Sequence, residues 1–128
     1  MHKLLLASLG IITMLSSPVQ AQTPAATEGD AVFSDFAFGS GEKLSELKIH
    51  YTSLGTPKRD KDGNITNAVM ILHGTGGTGK QFFQPHFANE LFGPGQVLDT
   101  ARYFIILPDN IGHGQSSKPS DGLRMAFP

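Results

Sequence analysis

The stretch Ala68-Val69-Met70-Ile71-Leu72-His73-Gly74-Thr75-Gly76-Gly77-Thr78-Gly79-Lys80 runs five consecutive apolar residues straight into a glycine-rich turn. A short unbroken apolar run ending at glycine describes a buried strand that delivers a loop. Gly74, Gly76, Gly77 and Gly79 lack a Cβ, so this backbone can take positive φ and let a ligand approach its N–H groups closely. Such a loop is suited to negative charge, either the phosphates of a nucleotide or the oxyanion that develops when an acyl carbonyl is attacked.

The neighbours of that stretch set the fold. A second apolar run, Tyr103-Phe104-Ile105-Ile106-Leu107-Pro108, follows after roughly thirty residues, enough for a crossover between parallel strands. Continuous runs of this kind mark strands covered on both faces. Helical turns are expected between Gln81 and Leu91, interrupted by Pro85 and ended by Gly93-Pro94-Gly95. Upstream, Phe33, Phe36 and Phe38 lie in a strand from Val32 to Phe38 that the turn Gly39-Ser40-Gly41 closes. Leu47 to Ser53 then alternates apolar 47, 49 and 51 with polar 48, 50 and 52, as a half-buried strand does. The pair reads as an antiparallel hairpin leading into a parallel α/β sheet.

Two readings compete for the glycine loop. Gly74 to Lys80 fits the G-x-x-x-x-G-K part of a phosphate-binding loop, but Gln81 stands where Ser or Thr must hold magnesium, and Pro85 interrupts the helix that should face the phosphates. In the other reading the backbone N–H groups of His73-Gly74-Thr75-Gly76 supply half of an oxyanion hole, as in H-G-G-G loops. Thr75 is the first choice of donor and Gly76 the second, with His73, Gly74 and Gly77 shaping the loop beside the substrate. The second reading gains from Asp109-Asn110-Ile111-Gly112-His113-Gly114-Gln115-Ser116, a D-x-x-G-x-G-x-S turn followed by Ser117-Lys118-Pro119 that leaves the other apolar strand.

Asn67 to Gly77, Phe92-Gly93-Pro94-Gly95-Gln96 and Tyr103 to Gly122 together resemble the homoserine O-acetyltransferase-like group of the α/β-hydrolase superfamily, and the resemblance extends from Phe36 to Pro128. It implies the N-terminal portion of an α/β-hydrolase fold, and acyl chemistry through a serine on a G-x-S-x-G elbow after a fifth strand, with Asp and His on later loops. No such elbow occurs in these residues. The nearest approach, Gly114-Gln115-Ser116-Ser117-Lys118, has Lys118 in place of glycine and follows the fourth strand. Nucleophile and base are therefore expected to be absent from this chain and to lie beyond Pro128, leaving Ser116 to close a turn and Asp109 to cap its loop's backbone. The chain alone is then inactive, with an uncovered apolar sheet face and a free edge. Its parent is expected to hydrolyse an ester or amide, or to transfer an acyl group as homoserine O-acetyltransferases do. A non-catalytic truncated product, or a fragment that folds against a partner, is the alternative, and the phosphate-binding loop is the third.

Composition narrows the partners. Of 128 residues 39% are apolar and 16% charged, with a net charge of −1, which gives no basic surface for nucleic acid. Cysteine is missing, so thiol catalysis and thiolate-bound zinc are excluded. No cofactor or metal is expected, and the expected partner is a small-molecule ester or acyl donor. Residues 1–21 carry Lys3, the apolar run Leu4 to Leu15 and the ending Val19-Gln20-Ala21, the three parts of a secretory signal peptide. Its apolar run is too short to span a bilayer. The expected organisation is a signal peptide over 1–21, a flexible linker over 22–30 and the α/β-hydrolase portion over 31–128, in a secreted or periplasmic protein without membrane attachment after cleavage.

Overall fold

The computed structural model describes residues 25–128. The signal-peptide reading of residues 1–21 lies outside them. In chain order, strands β1 (Ala26–Ala37) and β2 (Lys43–Leu54) are followed by β3 (Ala68–Met70), a 3-10 turn (Gly79–Phe83), helix α1 (Pro85–Leu91) and β4 (Phe104–Pro108). Two further 3-10 turns, Pro119–Asp121 and Arg124–Ala126, complete the order. The four strands form one sheet in the order β1-β2-β4-β3. β1 and β2 are an antiparallel hairpin, β2 pairs antiparallel with β4, and β3 lies parallel to β4 with Val69 opposite Ile105. The expected hairpin leading into a parallel α/β pair is the architecture found.

Pro85 starts α1 rather than breaking it. It sits at the first helical position, where its missing N–H has no intrahelical partner to lose. Beyond α1, the turn Gly93-Pro94-Gly95 is fixed by side chains: Gly93 N–H donates to Gln96 Oε1 (2.6 Å) and Gly95 N–H to Asp99 Oδ2 (2.7 Å). These turns lay α1 and the 3-10 turn before it on one face of the sheet. There Leu54, Ile105, Leu107 and Phe92 are fully buried, beside Phe82 and Ala88. Each large apolar side chain removed from water there contributes about 2 kcal/mol, an upper figure for a compact denatured chain.

Three expectations are corrected. The linker over 22–30 does not hold for Ala26 to Asp30, which are the first half of β1 and pair with Leu54 to His50. Glu28, Gly29 and Asp30 are residues that strands disfavour, and their partners hold them in place. Tyr51 lies over Gly29, where an added Cβ would come within 2.7 Å of its hydroxyl, and Asp30 Oδ1 is 2.8 Å from His50 Nδ1.

β3 and β4 are covered on one face only among the described residues. The other face is a concavity of about 700 Å³ lined by Phe33, Ile49, Tyr51, Met70, Phe104 and Ile106. Met70 there is 61% exposed and Phe33 48%. The alternation in β2 also assigns the covered face wrongly at its end. His50 and Thr52 are buried, while Ile49 and Tyr51 remain half-buried over the concavity. Alternation shows which residues share a face; what packs on that face is decided by the loops from β3 and β4, which lie against the polar side.

Candidate functional site

The site is the pair of loops that leave β3 and β4. Gly74 to Gly77 form one turn, closed by Gly77 N–H donating to Gly74 C=O (3.0 Å). Gly76 stands third in it with φ +77°, the left-handed position that a type II turn reserves for glycine. Of the five loop residues expected from the sequence, Gly74, Thr75 and Gly76 are exposed in this turn, Gly77 is half-buried and His73 is buried at its base. Thr75 N–H has no hydrogen-bond partner among the described residues, whereas Gly76 N–H donates to His113 Nε2 at 3.3 Å.

His73 ties the loops together from inside. Its ring is buried and accepts Asn110 N–H at Nε2 (2.9 Å), so the ring proton sits on Nδ1 and is donated to Gly74 C=O (2.8 Å). Asn110 Nδ2 returns a bond to His73 C=O (3.3 Å). His113 is arranged alike: Nε2 accepts, and Nδ1 lies 3.2 Å from Ile111 C=O. The two imidazoles meet edge to face with centroids 5.2 Å apart. These links join residues 37 positions apart, and no spacing rule in the sequence announces them.

Asp109 anchors the second loop. Its carboxylate is buried and accepts Gly79 N–H at Oδ1 and Gln115 N–H at Oδ2, both at 2.8 Å. Gly114 has φ +52°, and a Cβ there would overlap that carboxylate. Ser116 is fully buried with its hydroxyl committed twice, donating to Asp109 C=O (2.6 Å) and accepting His50 N–H (2.9 Å). It closes a turn, and, fully buried with its proton already given to a carbonyl, it is not placed to act as a nucleophile.

A histidine–aspartate pair escaped the sequence reading. His50 Nδ1 is 2.8 Å from Asp30 Oδ1, but Nε2 faces Gln115 Nε2 (3.2 Å) and Glu28 Oε2 (3.8 Å). Among the described residues no serine hydroxyl meets that nitrogen, and Ser116 bonds the backbone of His50 instead. The pair is therefore a clasp between β1 and β2. Among the described residues no group of three or more histidines and carboxylates is placed to hold a metal ion.

The phosphate-loop reading loses its two key groups here. Gly79 N–H is bound to the Asp109 carboxylate, and Lys80 Nζ pairs with Glu28 Oε1 at 2.9 Å. A phosphate would have to displace a buried anion and break an ion pair.

Comparison with known proteins agrees with the fold. No family model matches the chain. A probable acyltransferase of Methanothermobacter thermautotrophicus is 34% identical over 86 residues, covering 67% of this chain and 25% of the relative. A homoserine O-acetyltransferase of Methanosalsum zhilinae is 35% identical over 79 residues, covering 57% of this chain and 15% of the relative. Among solved structures, an acetylester hydrolase from Corynebacterium glutamicum superposes with a TM-score of 0.59 at 27% identity, over 73% of this chain and 24% of that one. The chain thus spans a quarter or less of the length of these proteins. With the strand order, the parallel β3–β4 pair and the two glycine loops of the sheet, these similarities show part of an α/β-hydrolase fold whose relatives are acyltransferases and homoserine O-acetyltransferases.

Proposed function

We propose that these residues furnish the first half of an oxyanion hole in a serine-dependent acyl enzyme, with Thr75 N–H as the donor. One observation carries the reading: Thr75 N–H is a backbone donor without a partner among the described residues, on a turn held by bonds to its neighbours. When a nucleophile adds to an acyl carbonyl, charge gathers on oxygen, and a fixed uncharged donor stabilises that charge without having to reorganise. Gly76 is the weaker candidate, because its N–H is already given to His113.

The serine elbow, acid and base are not among residues 25–128, so residues 1–128 alone are proposed to be inactive, and a complete site needs further elements. The acyl group is handed either to water, as in the acetylester hydrolase, or to an acceptor alcohol, as in the acetyltransferases. The pattern of residues 1–21 supports an exported protein, and with it hydrolysis, because acyl-coenzyme A is a cytoplasmic donor. The substrate is then a small ester or acyl donor, and neither cofactor nor metal takes part.

The test is turnover of 4-nitrophenyl acetate, with and without homoserine, by the product of the whole reading frame. Thr75→Pro removes the N–H and is expected to lower kcat by about 10²–10³-fold, with melting followed to show that the fold survives. An unchanged kcat sinks the assignment, and turnover by residues 1–128 alone would overturn the proposal that this segment is inactive.

A further inference from the structure

We infer that His73 and His113 are positioning residues that pin two consecutive peptide planes and thereby aim the unpartnered Thr75 N–H, and that they do so only while both rings are neutral. This rests on the reading of Thr75 as the oxyanion donor.

A trans peptide is planar, with its C=O and N–H pointing in opposite directions. The plane that carries Thr75 N–H also carries Gly74 C=O. That oxygen is held from two sides, by His73 Nδ1–H at 2.8 Å and by Gly77 N–H at 3.0 Å. Fixing the oxygen fixes the direction of the N–H on the same plane. The next plane carries Gly76 N–H, which His113 Nε2 accepts at 3.3 Å. Thr75 is thus set between two anchored planes, with its backbone N–H unpartnered among the described residues.

Both anchors depend on the same tautomer. Each Nε2 accepts a backbone N–H, from Asn110 in one ring and Gly76 in the other, and so must be unprotonated. A second proton on either ring would set N–H against N–H and break the strut. His113 is the more exposed of the two. The titratable groups beside it are His73, in edge contact, and Asp109 at the head of its own loop, whose carboxylate is turned to Gly79 and Gln115. Both already hold other N–H groups, so among the described residues no neighbouring group offsets the lost bond.

The experiment is nuclear magnetic resonance on the ¹⁵N-labelled chain. Two-bond proton–nitrogen correlations read the tautomer of each ring, and the Thr75 and Gly76 amides are followed through a pH titration. The expected result is an Nδ1–H tautomer in both rings, with the Gly76 amide moving in step with protonation of His113. In His113→Phe that dependence is lost, while the His73 tautomer is kept. An Nε2–H tautomer in either ring, or a Gly76 amide that stays still while His113 takes its proton, overturns the inference, and both are read on the unsubstituted chain even should the variant not fold. Because the readout needs no acyl chemistry, the two readings fail separately. If the struts behave as expected and Thr75→Pro leaves turnover unchanged, the oxyanion reading falls alone.

Discussion

The loops after β3 and β4 leave neighbouring parallel strands of the same sheet, yet they spend their backbone groups differently. After β4, nearly every buried polar group is answered from within: the Asp109 carboxylate takes two N–H groups, and Ser116 bridges a carbonyl and an amide. After β3, the turn is exposed, with three glycines beside Thr75, and among the described residues the amides of Gly74 and Thr75 are both left open. One loop is a bracket and the other is what the bracket displays. Sequence position alone does not separate these roles, since both loops are rich in glycine and both contain a histidine.

If that division is right, the bracket should be costly to alter and the displayed turn cheap. Asp109→Ala strands the N–H groups of Gly79 and Gln115 and is expected to lower unfolding stability by about 4 kcal/mol in urea denaturation. A loss below ~1 kcal/mol would break the comparison. Gly79→Ala, whose new methyl group would collide with the Leu107 carbonyl, should cost about 3 kcal/mol by the same measurement. Ser116→Ala leaves the His50 amide and Asp109 carbonyl without their bridge, for about 2 kcal/mol, and should not alter ester turnover by the whole protein.

The turn before β4 extends the test to pH. Backbone N–H groups of Gly95 and Ala101 hold the Asp99 carboxyl below the ordinary carboxylate range. Its folded value is depressed, so its contribution is present above the unfolded value of about 3.9 and is lost as pH falls through the folded one. The stability gap between the natural chain and Asp99→Asn should therefore close on acidification. A gap that widens toward low pH would contradict the bonding described. The smallest effect is expected in the displayed turn, where Thr75→Ala should change stability by less than about 0.5 kcal/mol.

Much of the frame could be read from residues. The two apolar runs and the spacing between them give the parallel pair, and the turn Gly39-Ser40-Gly41 gives the hairpin. The start of β1 was hidden because Glu28, Gly29 and Asp30 are strand residues only by virtue of Tyr51 and His50 opposite them. Which face of β2 is covered was hidden for a related reason: burial of His50 depends on a loop 65 to 66 positions away, which no local alternation encodes. At the site, the five loop residues were legible as a glycine turn after a strand. The distinction between Thr75 and Gly76 was not, since it depends on His113 reaching across from the neighbouring loop.

The strand order carries a consequence for synthesis. β3 is made before β4, and among the described residues β4 is the strand it pairs with. A ribosome adding about 5–20 residues per second needs several seconds to supply Pro108 after finishing Met70. Throughout that interval Val69 to Leu72 has no strand to pair with, while the β1–β2 hairpin stands complete with the β2 edge open where β4 will dock. A nascent chain thus exposes a sticky strand and a vacant edge together, and the order of translation leaves the correct partner until last.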